Sequence, residues 1–429
     1  MADIEYLKSL QAVRQRANLV LHAAEHGQLT HFTYHPERMT EASEYVVNII
    51  NRDFGPDKFD TIPPHGRWQH FEVGNVPRVD NLIQGWQESG CGNIEIVRCL
   101  VDLFFVAVLL DAGAGDTWKF VEPGTGNVYG RSEGIAVASL YMVQSGCLSR
   151  QQAGCVDGHS LASLDLETFT THFQLTPENP IVGADSRVSL LNSVGKSLLN
   201  HPGLVGETGR PGNLVDHLLK GQDSSLDLDF EHLWSLLQSI LLPAWPKNRT
   251  RVADIPVGDA WPLEVLGRLN TDKKVDPNKT LHIQPFHKLT QWLAYSLTVP
   301  FVRVFDLEWT NMHLGTGLPE YRNGGLFVDL GVLQLKETTL QAGLEISQQE
   351  IPGFEATSDV IVEWRAMTVA LLDKLHDSVG EYFRQRGTTL SLAQMLEAGT
   401  WKGGRELAAK YRPGTMSSPI LIEGDGTLF

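Results

Sequence analysis

The chain has few cysteines, and their spacing matches no common cysteine motif. Four occur in 429 residues, Cys91, Cys99, Cys147 and Cys155, and no two of them form a CxxC pair. Domains held together by disulfides are usually small, secreted and dense in cysteine. We therefore expect four buried, chemically inert thiols in a cytoplasmic protein.

Long apolar runs are also absent. The most apolar run, Leu103 to Leu110, is far shorter than the roughly 20 residues that cross a bilayer. The opening stretch MADIEYLKSLQAVRQRANLVL carries acids, Lys and Arg throughout, whereas a signal peptide has a basic start followed by an apolar block. The sequence predicts no membrane partner and no export.

Positive charge is scarce. Lys and Arg number 35 against 51 Asp and Glu, which gives a formal net charge of −16. Nonspecific binding to nucleic acid or to an anionic membrane depends on clustered positive charge. We expect no nucleic-acid partner, and any anionic ligand must be held locally by arginines or helix amino ends.

Helical spacing of apolar residues dominates the chain, and strand-like alternation is rare. The stretch from Asn93 to Ala112 predicts a helix buried on most sides, and Ser391 with Gln394 predicts a capping box. The fold class is therefore mainly α with few short strands. With 42% hydrophobic residues, we expect one compact unit over 1–429, or else two lobes, 1–150 and 151–429.

The stretch from Leu281 to Lys336 contains the first candidate for chemistry, Lys288. A helix is expected from Pro285, which suits a first turn. The apolar residues that follow have helical spacing: Phe286, Leu289, Leu293 and Leu297. Lys288 then lies in the first turn, where the helix dipole disfavours a cation. This placement suggests an acidic partner for Lys288.

Asp329 is the acid expected to be that partner. It lies in the apolar run Leu326 to Leu330, directly after the predicted turn Asn323-Gly324-Gly325. A carboxylate between large apolar residues is partly desolvated, which is costly unless the charge is paired or used. The alternative is a solvated Lys288 and an Asp329 that caps a helix beginning near Leu330.

The segment from Thr61 to Asp80 is rich in Pro, Gly and aromatic residues and is interpreted as an ordered loop that lines a site. Trp68 and His70 are its candidate substrate-binding residues. His65, His70 and Glu72 could instead seat a metal ion, but their spacing matches no standard signature, so no metal and no cofactor is expected.

A phosphate group on a ligand would need local donors. The candidates are Arg131 with Ser132, at a predicted helix start, and Arg322, in the predicted turn before Asp329. Each arginine could instead form a structural ion pair.

Six stretches together resemble the uracil-catabolism protein family of fungi and bacteria, long treated as a domain of unknown function. They are GRWQHFEVGNVPRVD, LLDAGAGDTWKFVEPGTG, GRSEGIAVASL, RVSLLNSVGKSL, LPEYRNGGLFVDLGVL and the closing ILIEGDGTLF. The resemblance covers the whole chain. It implies a step in a uracil route that proceeds through the nucleotide and releases urea.

The second half of the chain is also similar to queuosine 5′-phosphate N-ribosidase, of the helix-hairpin-helix DNA glycosylase superfamily. The similar pieces, in the same order, are RVSLLNSVGKSLLN, PFHKLTQWLAYSL, FVDLGVLQ and VEWRAMTVALLDKL. This similarity implies a glycosylase-like helical domain with Lys288 and Asp329 in a nucleotide pocket. The chain departs from it at Gly331, where the relative has a basic residue, so the substrate does not carry over.

These observations favour an N-ribosidic hydrolase acting on a nucleotide-derived ribosyl compound such as ribosylurea phosphate. Breaking a C1′–N bond makes the sugar cationic, so Asp329 would stabilise it and orient the attacking water. Lys288 would assist the departing nitrogen or keep Asp329 ionised; a covalent role is the less favoured option. The alternatives are a metal-dependent amidohydrolase using the His65 to Glu72 loop and a noncatalytic, nucleotide-binding pathway partner.

Overall fold

The structure is a computed structural model that describes residues 2–111, 113–115, 117–220, 227–246, 249–270 and 280–424. This part of the chain is mainly helical, as predicted, and its strands are two or three residues long. None of its helices is both long and apolar enough to cross a membrane. The last five residues of the closing stretch ILIEGDGTLF lie outside the described residues.

The α-helices of the described residues vary from one turn to seven. In chain order they are α1 (Ala2–Leu7), α2 (Leu10–Glu25), α3 (Met39–Phe54), α4 (Trp68–Phe71), α5 (Arg78–Glu88), α6 (Asn93–Leu109), α7 (Arg131–Gln144), α8 (Gly158–Ala162), α9 (Leu166–His172), α10 (Ala184–Leu199), α11 (Pro202–Val205), α12 (Leu214–Leu219), α13 (Phe230–Leu241), α14 (Glu264–Leu269), α15 (Lys288–Phe305), α16 (Tyr321–Asp329), α17 (Glu337–Ser347), α18 (Asp359–Arg384), α19 (Leu392–Met395) and α20 (Lys402–Tyr411).

Short 3-10 turns and a π-helical segment supplement these helices. The 3-10 turns are Pro36–Arg38, Phe59–Thr61, Val73–Asn75, Pro211–Asn213, Leu242–Ala244 and Met312–Leu314, and the π-helical segment is Leu396–Trp401.

The strands form separate pairs, and each strand has a single neighbour among the described residues. In chain order they are β1 (Phe32–Tyr34), β2 (Lys119–Val121), β3 (Val128–Gly130), β4 (Leu228–Asp229), β5 (Arg251–Val252), β6 (Ile255–Pro256), β7 (Ala260–Pro262), β8 (Ile283–Pro285), β9 (Trp309–Thr310), β10 (Leu333–Leu335), β11 (Gly353–Glu355) and β12 (Leu421–Glu423). The pairs β1–β10, β2–β3, β5–β6 and β7–β8 are antiparallel, and β4–β9 and β11–β12 are parallel.

The chain divides into two compact units, and neither is continuous in sequence. The first consists of Met1–His65, Asn248–Lys288 and His313–Gly424, and the second contains Gly66–Lys247 and Leu289–Met312. Residue 150, the boundary considered between two lobes, lies within the second unit. The prediction of one compact unit over the whole chain stays a prediction.

In the first unit, the long helix α18 is the central element. Helices α2, α3 and α16 pack against it, and α16 also packs against α20. Every residue from Val360 to Leu372 is buried. Because α2 and α18 lie at opposite ends of the sequence, the first unit forms only when distant parts of the chain meet.

In the second unit, α6 and α10 form the centre. Helix α6 is buried from Ile96 to Leu109 with the single exception of Arg98, so the prediction of a helix covered on most sides is confirmed. It packs against α7 and α10, and α10 packs against α8.

Candidate functional site

Helix α16 places two candidate acids of the first unit at its opposite ends. Glu320 is the residue before the helix, and its carboxylate accepts hydrogen bonds from the backbone N–H of Arg322, at 2.7 Å, and of Asn323, at 2.5 Å. This capping starts the helix at Tyr321. The predicted turn at Asn323-Gly324-Gly325 is therefore wrong, because these residues lie inside the helix.

The glycines of α16 serve packing. A Cβ on Gly324 would lie 2.8 Å from Thr368 Oγ1 and 2.9 Å from the indole of Trp364, both on α18. Only glycine allows the two helices to come this close.

Lys288 is the first residue of α15, so its first-turn position is confirmed, although the helix begins later than predicted. Pro285 instead ends β8, which pairs with β7. The side chain of Lys288 is buried, and its backbone N–H donates to Asp259 Oδ2 at 3.0 Å. The strand pair therefore holds the beginning of α15 against an acid that the sequence analysis did not identify.

Asp259 is a buried carboxylate whose two oxygens both accept hydrogen bonds from neighbouring side chains. It receives Nη1 and Nη2 of Arg365 at 2.8 and 2.7 Å and the indole N–H of Trp261 at 2.8 Å. Burial works to raise the pKa of Asp259, but Arg365 and the donated hydrogen bonds hold it well below its usual range. Asp259 thus remains charged and binds both the backbone of Lys288 and the guanidinium of Arg365 on α18.

Glu320 differs from Asp259 because its carboxylate receives backbone donors and no arginine bridge in the described part of the chain. Burial raises the pKa of Glu320, while the N–H groups of Arg322 and Asn323, and then the charges of Lys288 and Arg322, act to lower it. Lys288 therefore acts electrostatically on Glu320. The first unit holds a buried amine near a buried acid with raised proton affinity, which is typical of sites for proton transfer.

Asp329, the acid expected to pair with Lys288, has a different cation. Its oxygens lie 2.8 and 2.5 Å from Nη1 and Nη2 of Arg412 in a two-pronged ion pair. Asp329 is the last residue of α16, so the nine-residue helix separates it from Glu320 by about 13 Å along the axis. The acid whose pKa the charge of Lys288 acts to lower is thus Glu320. It lies at the opposite end of α16 from Asp329, the acid predicted from the sequence.

Arg322, predicted in a turn as a phosphate donor, is the second residue of α16. Its Nη1 donates to the carbonyl of Met416 at 2.9 Å, and its guanidinium lies 4.8 Å from the centroid of the Tyr321 ring. The hydrogen bond to Met416 attaches the segment after α20 to α16.

Trp68 and His70 lie on α4 in the second unit and are buried. The indole N–H of Trp68 donates to Glu72 at 3.1 Å, and the guanidinium of Arg303 lies 4.2 Å from the centroid of its ring. The rings of His70 and Trp292 pack edge to face, with their centroids 5.7 Å apart. Arg303 thus already occupies a face of Trp68 that was expected to stack on a ligand.

Arg131 and Ser132 are the first two residues of α7, as predicted, and both are half-buried. Arg131 has a φ of 54°, which is unusual for a residue other than glycine. Their position at a helix amino end suits a negatively charged ligand.

An ionic centre of the second unit was missed from the sequence. The fully buried Arg67 places Nη1 2.7 Å from Asp111 Oδ2, and the indole N–H of Trp292 donates to the same oxygen at 3.2 Å. Burial lowers the pKa of Arg67, and it lowers the pKa of Arg187 to about 10. In the sequence, the aromatic residues around Arg67 in GRWQHF indicate that it is buried. Residue spacing does not identify its partner, Asp111, because that residue is 44 positions away.

The metal site considered at His65, His70 and Glu72 receives no support from the contacts. His65 Nδ1 lies 2.6 Å from Glu397 Oε2, and Glu72 accepts from Trp68. Among the described residues, the group of side chains close enough to share a metal ion is instead Glu95, Cys99 and Cys155.

These features define a mainly helical protein whose first unit encloses an acid–amine pair and whose second unit encloses an arginine–aspartate centre. The chain belongs to the family described as Protein of unknown function (DUF1688), whose profile matches residues 6–429.

Two relatives match over almost their full lengths. The chain is 46% identical over 426 residues to Protein urg3 of Schizosaccharomyces pombe, covering 99% of this chain and 98% of that protein. It is 40% identical over 442 aligned positions to Uracil catabolism protein 4 of Lachancea kluyveri, covering 99% of each. The family resemblance seen in the sequence is confirmed.

Proposed function

We propose that this protein is an N-ribosidic hydrolase of uracil catabolism. Its substrate would be a nucleotide-derived ribosyl compound such as ribosylurea phosphate, cleaved to ribose 5-phosphate and urea. The pathway follows from the name of the Lachancea relative. The observation that carries the chemistry is the buried Glu320 with raised pKa in the field of Lys288.

The proposed reaction would use both Glu320 and Lys288. Cleavage of the C1′–N bond makes the ribose cationic while the departing nitrogen gains an electron pair. Glu320 would take a proton from the attacking water as the new C1′–O bond forms, and its charge would stabilise the sugar. A carboxylate with raised pKa is a stronger base than an ordinary glutamate. Lys288 would supply positive charge to the departing nitrogen and donate the proton that completes urea, and the proton taken from water by Glu320 would then restore Lys288.

Two carboxylates compete for the catalytic role. The resemblance to the queuosine phosphate ribosidase points to Asp329, whereas the contacts favour Glu320, because Asp329 is held by the charge of Arg412 in a two-pronged ion pair and Glu320 accepts only uncharged backbone donors in the described part of the chain. We assign proton transfer to Glu320 and attachment of the end of α16 to Asp329. Arg131 and Ser132, at the start of α7 in the second unit, stay predicted as ligands of an anionic group, and the proposal for Glu320 and Lys288 does not depend on them.

The test is to incubate the purified protein with ribosylurea phosphate and to measure urea and ribose 5-phosphate. We expect both products in equal amounts. We also expect Glu320→Gln to lower kcat/KM by about 10²- to 10⁴-fold, the usual effect of losing a general base. Asp329→Asn should keep most of the kcat/KM of the folded enzyme.

Glu363→Gln is the matched control. Glu363 is also a buried carboxylate with a pKa raised by burial, and it accepts the backbone N–H groups of Thr30, His31 and Phe32. If capping alone mattered, Glu320→Gln and Glu363→Gln would lower activity equally. Release of neither product by the parent protein would refute the hydrolase, and tight binding without turnover would favour the nucleotide-binding alternative.

The pH dependence gives a second measurement of the same proposal. Because burial raises the pKa of Glu320, the base form appears at a higher pH than for an exposed glutamate. We expect kcat/KM to rise with pH through this raised pKa, and we expect the rising limb to be lost in Glu320→Gln. An unchanged rising limb in the variant would assign the base to another group.

A further inference from the structure

Two cysteines that are far apart in sequence meet in the second unit. Cys99 lies on α6, one turn after Glu95, and Cys155 lies shortly before α8. The two Sγ atoms are 3.8 Å apart, and Cys99 Sγ is 3.7 Å from Glu95 Oε1. The three possible ligand atoms all lie within 4.8 Å of one another. Both thiols are buried, so this contact belongs to the interior of the fold.

These separations match those around a tetrahedral zinc ion. With Zn–S bonds of about 2.3 Å, two thiolate sulfurs at the tetrahedral angle are about 3.8 Å apart. With a Zn–O bond of about 2.1 Å, sulfur and carboxylate oxygen are about 3.6 Å apart. A disulfide would require sulfurs about 2.05 Å apart. The separations of Cys99 Sγ from Cys155 Sγ and from Glu95 Oε1 are thus those expected between zinc ligands.

The neighbours of the cluster resemble the outer shell of a metal site. Arg210 places Nη1 2.7 Å from Glu95 Oε1 and donates from Nη2 to Cys99 Sγ at 3.5 Å. Arg98 binds the other Glu95 oxygen at 3.0 Å. Such hydrogen bonds fix the orientation of metal ligands. Gln152 Nε2 lies 3.0 Å from Cys155 Sγ, so an amide turned by 180° would present its oxygen as a fourth ligand.

We propose that Glu95, Cys99 and Cys155 bind one Zn²⁺, with Gln152 or a water as the fourth ligand. Both thiols lose their protons to solvent as the two Zn–S bonds form, and no oxidation takes place. The ion joins α6 to the loop before α8 and so has a structural role. The site is independent of the acid–amine pair in the first unit, so failure of either proposal leaves the other standing.

Zinc content is the first test. The protein is purified under reducing conditions from zinc-supplied cells, and its metal is measured by mass spectrometry. We expect about one zinc per chain, loss of most of it in Cys99→Ser and Cys155→Ser, and full retention in Cys91→Ser and Cys147→Ser. The last two are matched controls, because these thiols lie outside the cluster.

Cobalt binding to the wild-type protein covers the case in which the serine variants fail to fold. The chelator-treated, reduced protein is titrated with Co²⁺, and we expect a thiolate-to-cobalt charge-transfer band that saturates at about one equivalent and disappears when Zn²⁺ is added. Absence of this band, together with zinc-free protein from zinc-supplied cells, would overturn the site. A Cys99–Cys155 disulfide in the native protein would also overturn it.

Discussion

Asp259 and Glu320 are both buried acids of the first unit, and their partners decide what each can do. The carboxylate of Asp259 accepts two hydrogen bonds from Arg365, one from Trp261 and one from the backbone of Lys288. These bonds occupy both of its oxygens. Glu320 receives backbone donors and retains a raised proton affinity. One acid is therefore a fixed charge and the other can exchange a proton.

Replacing Asp259 by Asn should destabilise the protein by about 3–5 kcal/mol near neutral pH, because it leaves Arg365 buried without its counter-charge. The pKa of Asp259 is lowered on folding, so its contribution is fully present above the ordinary value of 3.8 and is lost as pH falls below it. Urea unfolding from pH 7 to pH 3 measures this. A difference from the parent that grew at acid pH would contradict the assignment.

The Asp329–Arg412 pair should contribute to stability and little to catalysis. Asp329→Asn removes a charge from a two-pronged pair whose carboxylate is only 6% exposed, so we expect a loss of about 1.5–3 kcal/mol. Thermal unfolding and kcat/KM should be measured on the same preparation. Glu41→Gln, which breaks an exposed pair with Arg38, is the control and should leave the unfolding midpoint nearly unchanged. Lost turnover at full stability would return the catalytic role to Asp329.

For single residues, the sequence predicted the positions of candidate residues in helices better than it predicted their interaction partners. The first-turn position of Lys288 and the helix-start position of Arg131 followed from local spacing. The cation of Asp329 is 83 residues away in sequence, and Glu320 lies in a stretch, LPEYRNGG, whose Pro and Gly residues resemble a turn. Partners brought together only by tertiary packing leave no local pattern.

Helix α16 shows why glycine was misleading at the level of the element. Asn-Gly-Gly usually signals a turn, but here Glu320 caps the helix, Gly324 allows close contact with α18, and Gly325 allows close contact with the segment after α20. A Cβ on Gly325 would lie 3.0 Å from Pro419, and a Cβ on Gly403 of α20 would lie 3.2 Å from Leu326. Close packing of α16 requires Gly324 and Gly325, and this packing offsets their low helix propensity.

Gly324→Ala should therefore destabilise the protein by about 1–3 kcal/mol, despite the higher helix propensity of alanine, because the added methyl overlaps Trp364 and Thr368. Gly85→Ala is the matched control. Gly85 lies inside α5 with nothing within 4 Å of an added Cβ, so this change should be neutral or stabilising by up to about 1 kcal/mol. Chemical denaturation measures both, and equal effects would refute the packing explanation.

Long helices and caps were predictable, and the strands were not. The buried helix α6 and the capping box of α19 are present as the spacing indicated. The strands are two or three residues long, so alternation never extends far enough to be recognised. Pro285 illustrates the difference, since its backbone suits a helix start but it pairs in β8.

At the scale of the whole molecule, both units are assembled from separated stretches of chain. Dividing the chain at residue 150 would remove α2 from α18 and leave the buried face of α18 exposed. We expect the fragments 1–150 and 151–429 to lack a cooperative thermal transition when produced alone, as followed by circular dichroism. A cooperative transition in fragment 151–429 would show that α18 needs neither α2 nor α3.

The pairing of β1 with β10 joins residues 32–34 to residues 333–335, about 300 positions later. A ribosome adding about 5–20 residues per second needs about 15–60 s to make that intervening chain. Throughout this interval α18 has not been synthesised, so the apolar face of α2 cannot be buried against it. Synthesis in cells should therefore depend on chaperones that hold the amino-terminal segment, and a stop codon shortly before α18 should yield an aggregated product.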